Sequence, residues 1–187
     1  MTEDLATKDL KKRVGKIGFI VLIAILILSG SVLFALVKNG ISVYAVAGDS
    51  MEPTFSDKDS LVISQKKDVD YDQIVFFTKP AKWDRYADND ITLVKRMTAL
   101  PGDVLEYDGK VFTVNGETVY DVEKENYECS AGEVGYTHTL TNKEIFVTGD
   151  NAAVSLDSRR VFCDGDSEDM FVPRQAIKNY GEVVFQF

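Results

Sequence analysis

Ser50, Lys95 and the hydroxyl- and acid-rich segment 149–159 are the residues with chemistry to offer. A serine hydroxyl attacks a carbonyl only if a base takes its proton, and a lysine is a base only when held neutral. Ser50 lies in Gly48-Asp49-Ser50-Met51-Glu52-Pro53-Thr54-Phe55, directly after the alternating run 41–46. Gly48 lets backbone approach a ligand closely, and Pro53 fixes φ and stops the strand. A serine there either faces a substrate or simply serves the bend. Lys95 lies in Leu93-Val94-Lys95-Arg96-Met97-Thr98-Ala99. Strand alternation puts it on one face with Leu93, Met97 and Ala99, and puts Arg96 on the other. On that apolar face Lys95 either snorkels to the surface or is desolvated, which lowers its pKa and makes it a base. Segment 149–159 supplies hydroxyls, the Asn151 amide and an Asp157/Arg159 pair. It is either a hydrogen-bonded polar turn or a shell that orients a catalytic group.

Strands must position these stretches. From residue 41 the pattern is mostly of period two, and segments 60–65, 74–77, 91–100, 104–107, 110–114, 145–148 and 182–187 read as strands. Asp108-Gly109 and Asn115-Gly116 are two-residue hairpin signals. Residues 173–177 fit one helical turn. Residues 121–142 are polar, lack clear periodicity and read as an exposed excursion; a cap or insertion is expected over 115–142. The 83–90 loop carries Trp83 and Tyr86, which either touch a lipid interface or pack partly on the domain. The fold expected is mostly β, a folded antiparallel sheet or barrel, preceded by one helix.

That helix is the uncharged run 17–37, whose 21 residues span roughly 30 Å, the thickness of a bilayer core. Its length beyond Ser29-Gly30-Ser31 favours a retained anchor over a cleaved leader. Lys8, Lys11, Lys12, Arg13 and Lys16 precede it. The positive-inside rule therefore places the basic tail 1–16 in the cytoplasm and residues 38–187 outside, as a single-pass protein of the cell membrane. Thirteen steps from Val37 to Ser50 keep the serine within about 45 Å of the bilayer.

The 187 residues suffice for one small core. A net charge of −9 argues against a nucleic-acid partner. Two cysteines and one histidine show no metal-ligand spacing, so neither metal nor cofactor is expected. Cys129 and Cys163 are either separate thiols or a pair, which would close a 35-residue loop and contribute about 3–4 kcal/mol.

Taken together, Ser50-Met51-Glu52-Pro53-Thr54-Phe55, Leu93-Val94-Lys95-Arg96 running on to Leu100-Pro101-Gly102-Asp103, and Gly149-Asp150-Asn151 with Ser155, Asp157, Ser158 and Arg159 resemble the signature segments of bacterial type I signal peptidases. Order and spacing resemble the smaller, Gram-positive-like, single-anchor members. The resemblance implies a Ser-Lys endopeptidase that removes signal peptides from secreted precursors. It makes Ser50 the nucleophile, Lys95 the general base, Ser155 the residue that holds the lysine, and Asp157 with Arg159 a structural ion pair. The Ser50 amide would help form the oxyanion hole. Gly48 stands where some relatives have a serine, so a second donor must come from backbone or water. Ala152 departs from an arginine common in the third segment, and Ser158 matches a position without an assigned role.

The substrate is expected to add as an extended strand between 44–47 and 93–95, with Val46, Met51 and Val94 lining pockets for small residues at −1 and −3. A lysine neutral at pH 7 requires its ordinary value near 10.4 to fall by more than about 3. The alternative function is a non-catalytic relative that assists pilus or surface-protein assembly; such relatives lose the nucleophile or the base, and both are present here.

Overall fold

The computed structural model describes residues 2–38, 40–66, 68, 70–83, 91–124, 129 and 132–187, with side chains for 14–35, 38 and the described residues from 40 on. Tyr86 and most of the 83–90 loop lie outside the described residues. Two compact units result, one ending at Ile41 and one beginning at Ser42.

The first unit is α1 (Thr2–Lys38). Within it Val14–Ala35, 22 residues, is long and apolar enough to cross a bilayer. Its polar side chains are compatible with lipid. The Ser29 and Ser31 hydroxyls donate to the carbonyls of Leu26 and Leu28 at 3.0 and 2.8 Å, so the helix satisfies them itself.

The second unit is built of antiparallel strands. A seven-stranded sheet runs in the order β1 (Ile41–Ala45), β2 (Ser60–Gln65), β11 (Ile177–Gln186), β3 (Ile74–Thr78), β4 (Thr92–Ala99), β9 (Glu144–Thr148), β10 (Val172–Pro173). A four-stranded sheet runs β7 (Glu117–Asp121), β6 (Val111–Val114), β5 (Val104–Tyr107), β8 (Tyr136–Thr139). The Asn115-Gly116 hairpin joins β6 to β7 with φ of +52° and +82°, the left-handed pair that a tight two-residue turn demands. The expected turn near 173–177 is a 3-10 helix, Arg174–Ala176.

The last strand is not at an edge. β11 lies between β2 and β3, paired with both. β1 and β2, which lead into Ser50 and away from it, are therefore joined to β3 and β4 through β11 in the sheet's strand pairing, while Tyr44 of β1 stacks directly on Phe76 of β3.

Two apolar clusters fill the domain. The larger joins both sheets through Phe77, Phe112, Phe146 and Phe162, and the smaller gathers Val46, Met51, Phe55, Phe76 and Val94. Truncating one such buried ring typically costs 3–5 kcal/mol.

Residues 121–142 depart from the sequence reading. They contain β8, which pairs with β5, and they bury Val122 and Leu140 in the larger cluster. Trp83 also departs from it. The ring is fully buried, with its Nε1–H donating to the Asp169 carbonyl at 2.8 Å, so this aromatic is core. Helix α2 (Ser158–Cys163) was not visible in the sequence, being shorter than two turns.

Candidate active site

Ser50 and Lys95 meet. β4 carries Lys95 inward, 1% exposed, and its Nζ lies 2.7 Å from Ser50 Oγ. The same amine donates to the Val94 carbonyl at 2.9 Å. No carboxylate touches it directly among the described residues. Burial pushes the Lys95 pKa down to about 8; Asp157 and Asp150 oppose this, and Arg159 reinforces it.

The serine is seated by backbone. Its carbonyl accepts from the Asn151 N–H at 3.1 Å. Gly149 makes the approach possible: a Cβ there would lie 2.5 Å from the Ser50 carbonyl oxygen and 2.1 Å from Ser155 Oγ. Gly48 has φ +82°, a left-handed conformation in which any other residue is strained, and its N–H donates to Asp57 Oδ1 at 2.9 Å.

Behind the loop, α2 begins with Asp157 as its cap. The buried carboxylate accepts from Gly149 N–H at 2.8 Å and from Arg159 through Nη2 at 2.6 Å and Nε at 3.2 Å. Burial alone would push this carboxyl up; Arg159 and the Gly149 N–H hold it below the usual carboxylate range. Arg159 also donates to the Gly149 carbonyl at 2.6 Å. The buried Ser158 Oγ accepts from Val147 N–H at 3.0 Å, tying α2 to β9.

Ser155 does not bond to Lys95. It is buried beside Gly149, and its hydroxyl, although near enough to favour the charged Asp157 carboxylate, makes no hydrogen bond of good geometry. Lys95 turns its donors on Ser50 and Val94 instead. Val46, Met51 and Val94 come together in the smaller core cluster, with Met51 fully buried. Ala152 is buried in the larger one.

The profile of the family described as signal peptidase, peptidase S26, matches residues 13–187. The chain belongs to the signal peptidase family. Signal peptidase I V of Bacillus subtilis is 32% identical over 139 residues, covering 66% of this chain and 78% of the relative. Signal peptidase I of Bacillus amyloliquefaciens is 30% identical over 140 residues, covering 68% and 71%. The crystal structure of a signal peptidase I from Enterococcus faecalis aligns with 64% of this chain and 98% of its own, at 23% identity and a TM-score of 0.39.

In this signal peptidase-family chain, sequence reasoning missed the roles of two residues at the site. In the sequence Gly149 stands only as part of the third signature segment, with no role of its own; its place directly after β9 and before an acid was the available signal. Arg96 was read only as facing away from Lys95. It forms a two-point ion pair with Asp150, Nε to Oδ1 at 2.9 Å and Nη2 to Oδ2 at 2.7 Å. That pair fixes the residue between Gly149 and Asn151.

Proposed function

We propose that this chain removes N-terminal signal peptides from exported precursors, with Ser50 as nucleophile and Lys95 as general base. The observation that carries the reading is a buried amine 2.7 Å from a serine hydroxyl, its pKa lowered to about 8. At pH 7 about one molecule in ten then has a neutral Lys95, against about one in 2,500 for a free lysine. A bound peptide would exclude water and raise that share.

Neutral Lys95 takes the Ser50 proton as Oγ attacks the carbonyl carbon at the cut. The Ser50 N–H and a second backbone or water donor stabilise the oxyanion. The Lys95 ammonium returns the proton to the leaving amine, the mature protein departs, and Ser50 holds the signal peptide as an ester. Water, deprotonated by Lys95, then hydrolyses it. Ser155 supports the site by packing against Gly149, and Asp157 and Arg159 hold the Gly149 backbone.

Strand addition has room. β1 is an edge strand, and β4 pairs with β9 only from Arg96 onward, which leaves 92–95 unpaired on that side. A peptide lying there would rest on the side of Val46 and Val94, with the fully buried Met51 packed beneath it in the same cluster. Residues 1–16 are placed in the cytoplasm and the β domain outside; protease added to intact spheroplasts should digest the chain beyond Lys38.

The test is cleavage of a purified precursor. Ser50→Ala and Lys95→Ala should each abolish it, and Lys95→Arg should not restore it, because a guanidinium stays charged. Near-normal turnover by Lys95→Ala would assign the base elsewhere.

A further inference from the structure

Cys129 and Cys163 are joined by a disulfide, far from the reacting atoms in sequence but not in connectivity. Cys163 is the last residue of α2, and Asp157 caps the first turn of the same helix. Six residues make a helix of about 9 Å, less than two turns, with no stability of its own. Such a helix stays in place only if both ends are held.

Its N-terminal end is held by the Asp157 bonds to Arg159 N–H and Gly149 N–H and by the Ser158 bond to Val147 N–H. Its C-terminal end is held by the covalent bond and by Phe162, whose ring meets Tyr107, Phe112 and Tyr136 of the four-stranded sheet at 5.2, 5.3 and 5.1 Å. The bond is tightly enclosed. A Cβ at Gly132 would stand 2.8 Å from both Cys129 Sγ and the Phe162 ring. Mechanical continuity therefore runs from the disulfide along α2 to Asp157, to the Gly149 backbone, and to the carbonyl of Ser50.

We propose that the Cys129–Cys163 disulfide is a positioning element for the catalytic loop, holding α2 so that Asp157 keeps Gly149, and with it Ser50, in register with Lys95. The inference rests on the Ser50–Lys95 reading. With the bond gone, α2 is free to tilt about its cap, and the Gly149–Ser50 contact loosens. The charged groups acting on Lys95 are Asp157 and Arg159 at this helix and Asp150 on the loop. Loosening this end admits water to the amine and relieves the burial that chiefly lowers its pKa, so the ammonium becomes easier to keep. Moving Arg159 away acts in the same direction, and moving Asp157 away in the opposite one.

The experiment uses the full-length chain in detergent with a purified precursor. It compares oxidised protein, protein reduced with a phosphine, and Cys129→Ala/Cys163→Ala, with Ser50→Ala as the blank. Losing the bond should lower kcat about ten- to hundredfold, the scale of small misplacements in an active site. KM should stay within about twofold, because the peptide-binding strands are not on this path. The limb of the kcat/KM profile that rises with pH should move to higher pH. Reoxidation should restore the wild type, and the double variant should ignore the reductant. Unchanged kcat and an unmoved limb in folded, bond-free protein would overturn the proposal. So would an activity loss that follows, point for point, the loss of near-ultraviolet circular dichroism, since the bond would then serve only the fold. Cleavage by Ser50→Ala would instead remove the reading beneath it.

Discussion

Lys95 and Arg96 are neighbours on one strand, and the two faces of β4 treat their charges in opposite ways. Lys95 enters a closed site and meets a hydroxyl and a carbonyl, both neutral. Arg96 points into a trough of about 670 Å³ lined also by Thr98, Thr148 and Tyr120, and binds the Asp150 carboxylate at two points. Burial lowers the lysine, whereas the bond to Asp150 raises the arginine. A cation given a direct carboxylate partner is held charged; one buried without it is eased toward its neutral form. The alternation of a strand is enough to separate the two roles by a single residue.

Lys95→Met should break the contrast most visibly. Precursor cleavage should fall by roughly 10²–10⁴-fold, the usual worth of a general base. Stability should move the other way. Because the folded pKa, about 8, lies below the unfolded value of 10.5, the unfolded chain binds more protons between them, and wild-type stability should rise with pH across that window. Lys95→Met should remove that slope and stabilise the protein at pH 7 by on the order of 2–3 kcal/mol in urea titrations. In the wild type kcat/KM should climb with pH and level off above about 8.

Gly149→Ala presses on the seam between the faces. The added methyl meets Ser155 Oγ and the Ser50 carbonyl, so turnover should fall about a hundredfold with KM little changed in a kinetic assay. Arg96→Lys should sharpen the comparison. It forfeits the two-point pair, costing about 1–3 kcal/mol in thermal or urea melts, and it should leave turnover within about tenfold because Lys95 is untouched. Met51→Ala and Val94→Ala test the proposed peptide lining. Each should relax the preference for small residues at −1 and −3 by about tenfold in a panel of variant precursors.

The sheet was largely legible because its strands bury alternate side chains, and alternation is what a sequence displays. β4, reading Thr-Leu-Val-Lys-Arg-Met-Thr-Ala, is the clearest instance. β8 escaped because Tyr-Thr-His-Thr alternates aromatic with hydroxyl residues and has no aliphatic signal. α2 escaped because six residues cannot display a helical period, although Asp157 ahead of Ser158 was a usable cap signal. At the site, Ser50 and Lys95 could be singled out by residue type and spacing. The role of Gly149 could not, since it depends on an atom the residue lacks. Nor could the Ser155 geometry, which depends on where Lys95 sends its donors.

The insertion of β11 between β2 and β3 has a consequence for timing. A chain made from its N-terminus delivers the half carrying Ser50 first, then the half carrying Lys95, and only afterwards the strand that joins them in the sheet. Neither half has its final neighbour until residues 177–186 have emerged. In the sheet, the half carrying Ser50 and the half carrying Lys95 therefore gain their shared strand last, after nearly the whole domain has been made.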